Sequence, residues 1–211
     1  YHNVVAFTHS GWITNPHNFS TVGGFNVFDI NTNNSVPTNI ENGFPNDVSS
    51  FNSDLFYLVF AHELNHNVDA IKVEKDTELK SHKDLLIQKA GQDQMSYLRS
   101  MFDEGFFVEN PQEFIASISN MYFANSQLTF DVALKRAQTG NFNPIDQFLF
   151  FARLYSVNNK VKFFNYSSTG PLLINEMNCT KNSDGYINSL ILNGTEYSFT
   201  LDQNNLVIGI N

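Results

Sequence analysis

Apolar and polar positions fall into three textures along the chain. Residues 1–50 carry short apolar runs between turn formers. Val4 to Thr8 and Phe25 to Ile30 read as strands, Gly23-Gly24 as a turn, and Asn31 to Pro45 as loop. From Ser53 the spacing becomes helical. Leu55, Phe56, Leu58, Val59, Phe60, Leu64, Val68 and Ile71 recur densely enough that most of one helix, Ser53 to Lys72, should be buried. Ser53 and Asp54 are suitable N-cap residues for it.

The helical texture continues. Asp76 to Ala90 is amphipathic, with Leu79, Leu85, Leu86 and Ile87 on one side and Lys80, Lys83 and Lys89 on the other; Gly91 suits its C-cap. Gln92 to Phe102 is a further short helix. Asn110-Pro111-Gln112-Glu113 reads as a helix start, leading to Ala124. Ser126 to Thr139 follows, and Asn143-Pro144 opens an apolar helix to Val157, whose Phe148, Phe150 and Phe151 read as core. From about Lys160 the pattern shortens into strands: Val161 to Tyr166, Leu172 to Asn175, Tyr186 to Leu192, Glu196 to Leu201 and Leu206 to Ile210. Asn193-Gly194 is a two-residue hairpin signal. These elements predict an α+β fold: a β-rich N-terminal lobe with a central helix, a helical second lobe and a small C-terminal antiparallel β unit. The expected division is 1–159 and 160–211. The second part is small for independence, so it is expected to pack on the first.

The 211 residues, 42% of them hydrophobic, suffice for one good core. Net charge is −9, the pI is near 5.0, and the few lysines and arginines form no stripe. Nucleic-acid binding and attraction to an anionic membrane are therefore disfavoured. No apolar run is long enough to span a bilayer. The lack of a basic patch and of a membrane-spanning run fits a secreted, extracellular setting, and the start at Tyr1 without a basic leader reads as a mature or trimmed piece. The single cysteine, Cys179, excludes an intrachain disulfide and a cysteine-based zinc site.

Chemistry enters inside the central helix. His62, Glu63 and His66 form H-E-x-x-H, which stacks two imidazoles one turn apart on one face, close enough to hold one Zn²⁺. Burying them in so apolar a helix would be costly without a purpose. Glu63, one step round, can hold a metal-bound water. The isolated histidines His9 and His17 read as surface residues. A catalytic zinc takes a third protein ligand. Candidates are Asp69, Glu74, His82, Asp103, Glu104, Glu109 and Glu113. Asp69 is one turn beyond His66 and suits a supporting hydrogen bond to a ligand better than ligation. Glu104 stands in MFDEGFF, a peptide like the third-ligand stretch W-x-x-E-G-x-A of several zinc peptidases. Glu113 opens a long amphipathic helix that would aim it rigidly. Glu113 is preferred, with Glu104 the alternative.

HELNHNVD followed by NPQEFIASISNMYF resembles the gluzincin metallopeptidases of the lethal-factor and Pro-Pro endopeptidase type. The likeness covers about Ser53 to Ala124. It implies a zincin-like fold, His62, His66 and Glu113 as ligands, Glu63 as general base, and peptide or protein substrates bound as an added strand. One departure stands out. That family places a tyrosine seven positions before the third ligand to stabilise the oxyanion, and here the residue is Phe106, which cannot donate. Asn67 also replaces a small residue one turn past Glu63. Tyr97, Tyr122, Tyr155 or a histidine would have to serve as the donor. The expected function is a zinc-dependent endopeptidase; the alternative is a binding or adhesion module on a catalytically degenerate peptidase scaffold.

Overall fold

The computed structural model describes residues 6–8, 28–30, 55–92, 108, 110–167 and 170–211. Two short strands, β1 (Ala6–Thr8) and β2 (Phe28–Ile30), pair antiparallel with Phe7 opposite Asp29. They lie within the two strands expected near the N-terminus and rest against helix α1 (Leu55–Val68). Helices α2 (Thr77–Gln92), α3 (Glu113–Ala124), α4 (Ser126–Ala137) and α5 (Asn143–Tyr155) follow. The chain ends in a five-stranded antiparallel meander, β3 (Lys160–Ser167), β4 (Gly170–Lys181), β5 (Ile187–Leu192), β6 (Thr195–Leu201) and β7 (Val207–Ile210). The fold is α+β, with five α-helices among the described residues. None of these helices is long and apolar enough to cross a membrane.

The expected helix Ser53 to Lys72 is observed from Leu55, and its last turn differs. After Val68 it widens into a π-helical turn, Asp69–Val73, closed by the Glu74 N–H donating to the Asp69 carbonyl at 2.8 Å. The extra residue in that turn keeps Asp69 and Val73 on the inner side, in line with Ala61 and Asn65, all of them buried. Leu64 and Ile71 face outward, 42% and 53% exposed, although the apolar pattern placed them in the buried set.

Local chemistry accounts for the other boundaries. Asp76 caps α2, its Oδ1 accepting from the Glu78 and Leu79 N–H groups at 3.0 and 3.1 Å. The helix then runs through Gly91 to Gln92 rather than ending at that glycine. Asn125 breaks α3 from α4 and caps α4 through Oδ1, 2.9 Å from the Leu128 nitrogen. Pro144 sits in the first turn of α5, where its missing N–H costs nothing. Asn193 and Gly194, with φ of 51° and 82°, form the tight β5–β6 turn that needs positive φ at both central positions. Strand β4 is longer than its expected core, Leu172 to Asn175. Beyond it, Met177 and Cys179 point inward while Glu176, Asn178 and Thr180 are exposed, so the strand alternates where the sequence looks merely polar.

One core joins helices and sheet. Phe114, Ile118 and Tyr122 of α3, Phe130 of α4 and Phe148 and Phe151 of α5 meet Val161, Phe163, Leu190, Phe199 and Val207 from the sheet. Tyr122 is fully buried among Phe148, Phe151 and Phe164 and donates its hydroxyl to the Lys162 carbonyl at 2.6 Å. This core fixes α3 against the sheet, and α1 packs along α3 from the other side.

Candidate metal centre

Two elements build the site. Along α1, the i, i+4 spacing puts the rings of His62 and His66 edge to face, with centroids 4.9 Å apart. Opposite them, Glu113 occupies the first position of α3. Its Oε2 is 3.3 Å from His62 Nε2 and its Oε1 is 3.6 Å from His66 Nε2. One ligating atom from each residue lies within 4.8 Å of the others, a set that can hold a metal ion. All three side chains are mostly but not wholly buried, so the cluster is shielded yet reachable.

The outer ring nitrogens are also engaged. His66 Nδ1 lies 3.1 Å from the Gln112 carbonyl, and Asn120 Nδ2 lies 3.3 Å from His62 Nδ1. A carbonyl only accepts, so His66 carries its proton on Nδ1 and turns the Nε2 lone pair toward Glu113. Burial and the neighbouring His62 hold His66 below the ordinary histidine pKa, against the opposing pull of Glu113; at neutral pH it is an uncharged donor. Burial pushes the Glu113 carboxyl up, but the hydrogen bond from His62 and, in the acidic range where the carboxyl titrates, the charges of His66 and His62 outweigh it and leave it below the usual carboxylate value.

The other expected participants are placed as follows. Asp69 does not face the histidines; both its oxygens accept from Lys83 Nζ, at 2.9 and 3.0 Å, and the supporting contacts to the rings come from Gln112 and Asn120 instead. Glu74 pairs with Lys80 at 2.7 Å and with Lys83. His82 is buried under the sheet, stacked 4.8 Å from Tyr186, away from the cluster. Tyr155 donates to Asn65 Oδ1 at 2.5 Å and Tyr122 to the Lys162 carbonyl, so both phenol protons are committed. The α1 backbone carries Glu63 beside His62, but the Glu63 side chain lies outside the described residues. So do His9, His17, Tyr97, Asp103, Glu104, Phe106 and Glu109, and the expected helix from Gln92 to Phe102 beyond its first residue.

Asn120 was not anticipated. A signal exists in the sequence: with Glu113 and Ser117 it forms an i, i+4, i+7 polar line along a mostly apolar helix. The Gln112 contact is made by backbone, which no residue type announces.

The fold is α+β, and it brings two histidines and one carboxylate into a cluster that could hold a metal ion. Comparison with protein-family models, with curated proteins and with solved structures found no match.

Proposed function

We propose that the protein is a zinc-dependent endopeptidase of the gluzincin kind, on a zincin-like scaffold. The observation that carries this reading is the convergence of His62 and His66 from α1 with Glu113 from α3. Donors about 2.0–2.1 Å from a tetrahedral zinc stand about 3.3–3.4 Å apart, and one ligating atom from each of the three residues already lies within 4.8 Å of the others, so a small inward shift would close the set on an ion. Two neutral imidazoles and a carboxylate suit zinc chemically, and three protein ligands leave a fourth position open.

A zinc ion held there would supply Lewis acidity, polarising a peptide carbonyl and lowering the pKa of a water toward about 7. Glu63 accepts the proton of the attacking water and passes it to the leaving amine nitrogen. Gln112 holds the His66 ring so that Nε2 faces Glu113. Tyr155, by fixing Asn65, ties the histidine helix to α5. That commitment of Tyr155, with that of Tyr122, favours a second reading, a binding module without turnover.

A peptide library incubated with zinc-loaded protein separates the two. Cleavage that falls about 10²- to 10⁴-fold in Glu63→Gln supports the hydrolase. Equal cleavage by both forms contradicts the assigned base, and no cleavage by either favours the binding module.

A further inference from the structure

Resting on the metal reading above, we infer that Asn120 is a positioning residue for the centre, and that its side-chain amide turns over when the metal binds. His62 and His66 are held differently. The acceptor facing His66 Nδ1 is a carbonyl, which presets that ring with a free Nε2 lone pair. The group facing His62 Nδ1 is the Asn120 amide, with Nδ2 toward the ring at 3.3 Å. In that arrangement the amide donates to Nδ1, the ring proton resides on Nε2, and it points at Glu113 Oε2, 3.3 Å away. A metal needs that Nε2 lone pair.

The same side chain carries the remedy. Asn120 Oδ1 is buried and has no hydrogen-bond partner. A half-turn of the amide exchanges Nδ2 and Oδ1, bringing an acceptor to Nδ1. The proton then leaves Nε2 and is bound at Nδ1 by way of solvent, with no net change in protonation. The Oδ1 gains a donor while Nδ2 takes its buried place, so the exchange is driven by the metal's demand for Nε2, which is then free to ligate. A metal-bound histidine that donates its other N–H to a fixed acceptor is oriented and made more basic. Asn120 thus serves both states of His62: donor while Glu113 holds the ring, acceptor once the metal does.

The test combines zinc affinity with the tautomer of His62. Nitrogen-15 NMR of the ring should show Nε2–H in the metal-free chain and Nδ1–H in the zinc-loaded one. Asn120→Leu, which can neither donate nor accept, should weaken zinc binding about ten- to a hundredfold. Asn120→Asp, an acceptor of nearly the same shape, should stay within about tenfold of the unmutated chain. Circular dichroism verifies that both variants are folded. The inference is overturned if Asn120→Leu binds zinc as tightly as the unmutated chain, if Asn120→Asp is as weak as Asn120→Leu, or if the tautomer does not change on loading. An unmutated chain that takes up no zinc overturns the metal reading itself.

Discussion

Two clusters of buried ionisable groups hang from the same helix, and they are completed differently. On the inner line of α1 and its π turn, Asp69 meets Lys83, which also reaches Glu74. Lys83 is fully buried, and both Asp69 oxygens lie within 3.0 Å of its ammonium. That cluster contains its own cation. On the adjacent face, His62, His66 and Glu113 bring two bases and a carboxylate together, and no lysine or arginine of the described residues is paired with them. A buried carboxylate needs a cation or strong donors. The first cluster obtains one from the chain and serves to lock the π turn onto α2. In the second, among the described residues, Glu113 receives only the N–H of His62 and faces the Nε2 lone pair of His66, a set of groups that a cation between them would complete. The difference separates a cluster that carries its own cation from one that could take a metal ion.

The largest effect should come from breaking the closed cluster. Lys83→Met leaves Asp69 buried without its cation and should cost about 3–5 kcal/mol, read as a lower urea midpoint. A loss below about 1 kcal/mol would mean that water already reaches Asp69. Replacing the lysine and the aspartate together by apolar residues of similar size should recover much of the loss.

Next in size is a buried group handled in a third way. His82 stacks on Tyr186, has no partner for Nδ1, and is held neutral, its pKa pushed down to about 4 by burial and then by the charge of Arg153. The unfolded chain takes up a proton near the ordinary 6.5 and the folded chain only near 4. Between those values the unfolded state binds more protons, so this group makes stability rise with pH and fall on acidification. The contribution is about 3 kcal/mol across the window. Urea titrations at pH 4.5 and 7 should show it, and His82→Phe should remove that part of the slope. An unchanged slope would mean that His82 is solvated.

The smallest expected effect belongs to the anchor between α1 and α5. Tyr155→Phe removes the hydrogen bond to Asn65 and should cost about 1 kcal/mol while leaving zinc affinity nearly unchanged. A large loss of zinc affinity would place Tyr155 within the site rather than beneath it.

The two clusters were not equally legible in the sequence. The histidines are readable because four residues make one turn, and Glu113 because Asn-Pro marks the start of its helix. The pattern sets Lys83 with Lys80 and Lys89 opposite the apolar side of its helix, and nothing local says that one of the three meets Asp69. The burial of Lys83 depends on the π turn, which inserts a residue and keeps Asp69 on the inner line. That turn also explains why Ile71 faces out against the apolar pattern. In the sheet, the Asn193-Gly194 turn is encoded by residue type, whereas the full length of β4 depends on pairing with β3 and β5 beyond any local signal.

Calorimetric zinc titration of the metal-free chain beside Glu113→Ala and Glu104→Ala decides whether His62, His66 and Glu113 hold the ion. One ion per chain is expected, with binding retained in Glu104→Ala and affinity in Glu113→Ala lowered beyond the roughly ten- to hundredfold typical of losing only a supporting contact. Zinc uptake that survives Glu113→Ala and vanishes in Glu104→Ala would contradict the assigned centre.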